Sequence, residues 1–132
     1  MKFTGAKLFL DLGAVRDVAE VELNGRNLGI VWTAPWRADI STAVQAKGNK
    51  LRVKVTNCWA NRQIGDEQLP ADCEFAKGDR GFGGPLKNFP DWLVKNQPRT
   101  SGRFTFATWN YFSKESPLES SGLLGPVTIF KQ

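Results

Sequence analysis

The stretch VAEVELNGRNLGIVW, residues 18–32, places two apolar runs on either side of Asn24-Gly25. Val18, Val21 and Leu23 lead into the pair, and Leu28, Ile30 and Trp32 leave it. Asn-Gly between two such runs favours a type I′ turn, because both central residues must accept positive φ. The segment therefore reads as a β-hairpin.

The same period of two extends in both directions. AKLFLDLG alternates through Leu8, Leu10 and Leu12 and stops at Gly13. KGNKLRVKVTN turns at Gly48-Asn49, after which Leu51, Val53 and Val55 are expected inside and Arg52 and Lys54 outside. Between them, APWRADIS carries Pro35, a mark of an edge or a bend. Short strands at this spacing, with no helical period, predict an all-β sandwich or jelly roll. Residues 72–103 differ: they are rich in Gly and Pro, and only DWLVKN is apolar enough for a short helix or turn. A stretch of about thirty residues without clear strands is functional or packed by its own aromatics, here Phe82, Phe89 and Trp92. Strand signals return in RFTFATWNYF and GPVTIFKQ.

The chain has 132 residues, 41% hydrophobic and 23% charged, the profile of one globular domain with a single core. No apolar run reaches the roughly 20 residues of a membrane span, and the opening MKFTGAKLFLDLG lacks the apolar stretch of a signal peptide. A net charge of +5 raises the question of nucleic acid, but no run exceeds two basic residues, so neither nucleic-acid nor membrane binding is expected. Histidine is absent, which removes Ser-His and Cys-His nucleophiles and His-based zinc sites. Cys58 and Cys73 are either two buried thiols or a disulfide closing a loop of about fifteen residues, worth at most about 3 kcal/mol.

The polar cluster VTNCWANRQIGDEQLP, residues 55–70, reads as a loop leaving a strand. Trp59 with Asn57, Asn61, Arg62 and Asp66 has the composition of a sugar site: a flat ring for stacking, with amides and charges for hydroxyls. Equally, Arg62 and Asp66 could pair and bond the loop backbone, and a Trp in a sandwich is commonly core. Asp66, Glu67, Asp72 and Glu74, with Glu115 or Glu119 as distant partners, offer carboxylates, but no spacing selects a glycosidase pair. GFGG, residues 81–84, lacks the Lys-Ser/Thr of a phosphate loop and reads as flexible.

Three long blocks, LDLGAVRDVAEVELNGRNLGIVWTAPWRADIS, GNKLRVKVTNCWANRQIGDEQLPADCEF and GRFTFATWNYFSKESPLESSGLLGPVTI, stand in one order over nearly the whole chain. Together they resemble the C-terminal β-sandwich of α-L-rhamnosidase-like proteins of glycoside hydrolase family 106. More loosely they are similar to the sugar-binding jelly-roll domain of family 2 glycosidases. The resemblance implies a galactose-binding-like jelly roll, non-catalytic by itself, that accompanies a catalytic barrel outside the cytoplasm, periplasmic or secreted. Its partner would be a carbohydrate such as a plant cell-wall or pectin-type glycan, and its segment most like the family pattern is Asn61, Arg62, Ile64, Gly65, Asp66 and Glu67. The expected ligand residues are Trp59, Asn61, Arg62, Asp66 and Glu67, with Trp36 and Trp109 as stacking faces. The other reading is a purely structural domain packing on a catalytic barrel or another subunit. No cofactor is expected beyond a structural calcium held by backbone oxygens and Asp. Family members carry an aliphatic residue where Cys58 stands, and more sequence ahead of FTG. A missing first strand would leave a sheet edge for a homodimer.

Overall fold

The structure, a computed structural model, describes residues 6–79 and 83–132. Gly81 and Phe82, expected above in a flexible loop and an aromatic cluster, lie outside the described residues, as does the FTG start. The fold is all-β. In chain order its elements are β1 (Leu8–Asp11), β2 (Ala14–Arg16), β3 (Val18–Leu23), β4 (Arg26–Val31), β5 (Arg37–Asp39), β6 (Leu51–Thr56), α1 (Ala60–Asp66), α2 (Asp91–Val94), β7 (Gly122–Gly125) and β8 (Thr128–Lys131). They divide into two compact units, one made of residues 1–58 and 120–132, the other of Trp59–Glu119.

The first unit is the sandwich. Its antiparallel sheets have the orders β5-β1-β8, β2-β7 and β4-β3-β6. One core is shared among them: Leu10 on β1 and Leu12 just after it, Val15 on β2, Ala19, Val21 and Leu23 on β3, and Ala38, Ile40 and Ala43 on and after β5. Each fully buried Leu, Ile or Val stabilises the fold by about 1.5–3 kcal/mol relative to exposure. Strand β3 keeps strict alternation, with Glu20 and Glu22 on the opposite face and Glu20 pairing with Lys54 across the ladder at 3.2 Å. The Asn24-Gly25 turn has φ of 54° and 79°, as the hairpin requires. The turn is also stitched to its surroundings: Asn24 Nδ2 donates to the Ala43 carbonyl at 2.8 Å, and Lys50 N–H donates to Asn24 Oδ1 at 2.8 Å.

Beyond the turn the ladder is irregular. A register shift between Val21 and Glu22 sets Gly29 opposite Val21 and Asn27 opposite Glu22. Gly29 takes φ of 102°, and its N–H is held by Asn27 Oδ1 at 2.7 Å. This bulge turns the strand, so Leu28 and Val31 pack on the core while Ile30 and Trp32, at 59% and 70% exposure, face outward. Leu51 is likewise exposed, whereas Val53 and Val55 pack on the core. Where the chain leaves this unit and where it rejoins it, Asn57 Nδ2 donates to Ser121 Oγ at 2.6 Å. Cys58 N–H donates to Asp17 Oδ2 at 2.9 Å beside it.

The second unit is organised differently. Its β-pairing among the described residues is limited to two isolated bridges, Phe75 with Leu86 and Pro85 with Trp109. Among its described residues the buried side chains are Ile64 and Asp66. Residues 59–66, read above as a loop, include helix α1, and DWLVKN contains α2 as expected. RFTFATWNYF, expected as a strand, forms none beyond the Trp109 bridge. Gly83 and Gly84 are tightly packed rather than loose: a Cβ at Gly83 would collide with the Asn110 carbonyl, and one at Gly84 with that of Ala76.

Candidate functional site

Helix α1 presents the residues singled out in the sequence. It begins after Trp59 without a side-chain cap and spans Ala60–Asp66, with Ile64 as its one buried apolar side chain. Helical spacing sets Arg62 and Asp66 on one face, Arg62 Nε lying 3.4 Å from Asp66 Oδ1. Asp66 is only 3% exposed. Its Oδ2 accepts the backbone N–H of Phe104 at 2.8 Å, the N–H of Thr105 at 2.6 Å and the Thr105 hydroxyl at 2.8 Å. Burial pushes this carboxyl up, but the Thr105 and Phe104 bonds and the Arg62 charge hold it below the usual range.

The neighbouring side chains are committed in the same way. Asn61 clamps the backbone of one residue, donating to the Glu119 carbonyl and accepting the Glu119 N–H, both at 2.8 Å. Glu67 pairs with Arg103 at 2.6 Å, and that guanidinium also donates to the Leu69 and Pro70 carbonyls at 2.9 Å each. Trp59 stacks on Phe104 with centroids 5.7 Å apart and planes 10° from parallel, and the Arg62 guanidinium lies 5.1 Å from the Phe104 centroid. Trp109 leans against Tyr111 at 6.5 Å. Trp36 belongs to the first unit, where it packs on the apolar core. Asn61, Arg62 and Asp66 thus stand on α1 with Trp59 and Glu67 at its two ends, while Trp36 does not belong to their unit.

A second cluster escaped the sequence reading. Asp72 accepts from Arg99 Nε at 2.6 Å, Arg99 Nη2 at 3.1 Å and the Ser101 hydroxyl at 2.5 Å. Arg99 lies 4.6 Å above the Trp92 ring, and Trp92 meets the edge of Phe106 at 5.6 Å. Burial raises Asp72, but Arg99 and Ser101 bring it down to about 2. Burial and the Asp72 charge push the Cys73 thiol up to about 11. The acid and its Arg are 27 residues apart, so only the abundance of Asp and Arg in this stretch hinted at the pair. Both cysteines are thiols rather than a disulfide; Cys73 is half-buried and Cys58, expected inside, is exposed.

A general acid needs a raised carboxyl pKa, and Asp66 and Asp72 are both lowered. Among the described residues no three His, Cys, Asp or Glu side chains gather as a metal site, so a calcium would depend on backbone oxygens. No helix among them is long and apolar enough to cross a membrane. Beside the second cluster an open groove of about 1110 Å³ runs between residues 70–74, 88–92 and 97–101.

No family model matches the chain. It is 53% identical over 123 residues to a protein of Formosa agariphila provisionally named a beta-glucuronidase, covering 93% of this chain and 10% of that protein. A solved rhamnosidase from Novosphingobium sp. PP1Y superposes with a TM-score of 0.68 at 32% identity, covering 98% of this chain and 9% of that one. Both relatives are glycoside hydrolases by name, and this all-β chain spans about a tenth of the length of each.

Proposed function

We propose that this chain is a non-catalytic accessory domain of a glycoside hydrolase of the family 106 α-L-rhamnosidase type, galactose-binding-like in fold, acting outside the cytoplasm. Within it, α1 serves as an internal strut. One observation carries this reading: the polar side chains of α1 expected to meet a ligand are already bonded inside their own unit, with Asp66 accepting three donors from Phe104 and Thr105. A sugar hydroxyl would have to displace those donors and leave them unpaired, at a cost of about 1–3 kcal/mol for a buried group.

The test is a comparison of Asp66→Ala and Trp59→Ala by urea unfolding and by intrinsic Trp fluorescence against rhamnose, galactose and pectin-derived oligosaccharides. Asp66→Ala is expected to cost about 3 kcal/mol, since three donors lose one acceptor, and Trp59→Ala less than about 1 kcal/mol. A folded Asp66→Ala protein of unchanged stability that has lost a saturable sugar response would make α1 the ligand site instead.

Glycan binding by the same domain is favoured by a different observation, the open groove of the second unit. Its lining joins aromatic rings to amide and carboxylate side chains.

A further inference from the structure

We propose that the free edge of β8 receives an extended strand from the part of a glycoside hydrolase polypeptide that lies outside these 132 residues. The inference rests on reading the chain as an accessory domain and adds the surface through which it joins its parent. Strand β8 is the outer strand of the order β5-β1-β8. At its end Lys7 and Gln132 exchange both backbone bonds, at 3.0 and 2.8 Å. Antiparallel alternation then makes Phe9–Phe130 a bonded pair and leaves Leu8–Lys131 and Leu10–Ile129 unbonded. The Leu8 carbonyl accordingly turns the other way and accepts the Ile40 N–H at 2.9 Å. The N–H and carbonyl groups of Ile129 and Lys131 therefore point away from β1, on a side where no described strand pairs with them. Such a row of backbone groups is a template for one more strand.

The side chains call for the same occupant. Cross-strand partners project from one face of a sheet, so Ile129 lies on the core-facing side with Leu10. Yet Leu10 is 3% exposed and Ile129 61%. On β7, Leu123 stands opposite buried Val15 and is 41% exposed. The opposite face of β8 is covered: Phe130 stacks on Phe9 with centroids 5.6 Å apart, and Arg37 lies 4.6 Å from the Phe130 centroid. The outer face of this edge is thus finished, while the inner face stops short. An added strand with apolar side chains at alternate positions would extend the core over Ile129. Lys131 shares that inner face, opposite Leu8, and makes no ion pair among the described residues. Thr128–Lys131 contains no carboxylate, so a second copy pairing β8 with β8 would leave Lys131 without a counter-ion. An occupant with an Asp or Glu beside its apolar positions suits the edge better. Each relative is about ten times as long as the segment it shares with this chain, so most of its polypeptide could supply that strand.

Short overlapping peptides covering the remainder of the Formosa agariphila relative would be titrated against the full chain, with amide exchange followed by NMR. Ile129→Asp, Lys131→Pro and Ile30→Asp would run beside it, each checked for a wild-type circular dichroism spectrum. A peptide with alternating apolar residues is expected to bind saturably and to slow exchange at the Ile129 and Lys131 amides. Ile129→Asp should weaken it about tenfold or more by setting a charge under the added strand. Lys131→Pro should also weaken it, by removing an outward N–H that β1 does not use. Ile30→Asp, at an exposed position of β4, should leave it unchanged. Binding that both β8 variants leave intact, or that Ile30→Asp abolishes, would overturn the location. A dimer in sedimentation that Ile129→Asp dissolves would make a second copy the occupant and overturn the partner. If no peptide slows exchange at these two amides, the proposal fails. The accessory reading is scored separately in the same samples, because release of nitrophenol from aryl rhamnosides or glucuronides by this chain alone would sink it.

Discussion

Burial by itself would raise the Asp72 carboxyl, yet Arg99 and Ser101 hold it at about 2, against an ordinary value of 3.8. A group whose folded-state pKa lies below its unfolded one binds its proton more readily when the chain unfolds. Its stabilisation is therefore complete above the unfolded value and lost as pH falls toward the folded one. Here that amounts to about 2 kcal/mol, lost between about pH 4 and pH 2. Urea midpoints for wild type and Asp72→Asn should thus converge as the solution is acidified across that window. A wild type–variant gap that stays constant down to pH 2 would remove Asp72 from the acid response. Legibility at this scale was uneven. The Arg62–Asp66 pair could be read as opposite charges within one short segment, whereas Asp72 and Arg99 meet only through the path of the intervening chain. The carboxylate of Asp66 was visible as a charge, but not as the acceptor for two peptides near residue 104.

The elements that could be read in the sequence are those whose signal is local. Asn24-Gly25 announces its turn because few residue pairs accept two successive positive φ values, and the structure places both there. Asn24→Ala should therefore destabilise the protein by about 2 kcal/mol, from a strained left-handed backbone and the lost bonds to Ala43 and Lys50. Asn24→Gly keeps the backbone freedom and should recover part of this in thermal unfolding; equal losses in both variants would put the whole effect in the side chain. Two elements misled for definite reasons. Helix α1 has seven residues, a glycine at position 65 and one buried apolar side chain, too little for a helical period to show. The alternation in RFTFATWNYF is genuine but inverted: Arg103, Thr105 and Ala107 are partly buried, and Phe104 and Phe106 are exposed. The N–H groups of Phe104 and Thr105, which a strand would give to its neighbour, go to Asp66 instead.

At the scale of the whole chain, two kinds of interior coexist. Residues 1–58 and 120–132 are organised around nine apolar side chains contributed by several sheets. Trp59–Glu119 depends on hydrogen-bonded carboxylates and guanidinium groups, and this is why the alternation of apolar residues announced the sandwich and not its companion. The buried residues of that core, and the apolar residues packed against it, all lie between Leu8 and Val55. Replacing Trp59–Glu119 with a short Gly/Ser linker should leave a protein with cooperative unfolding and a β-type circular dichroism spectrum. A product that is unfolded at all temperatures would show that the excised residues are required. The hydrogen bond from Asn57 to Ser121 gives this arrangement a further consequence. With the two chain ends of the excursion fastened side by side, the segment between them behaves as a closed loop. Each doubling of a flexible loop's length adds only about 0.6 kcal/mol of closure entropy. Lengthening, shortening or exchanging that segment is therefore cheap for the sandwich, and descendants of this chain could try new loops there while their β-framework stays the same.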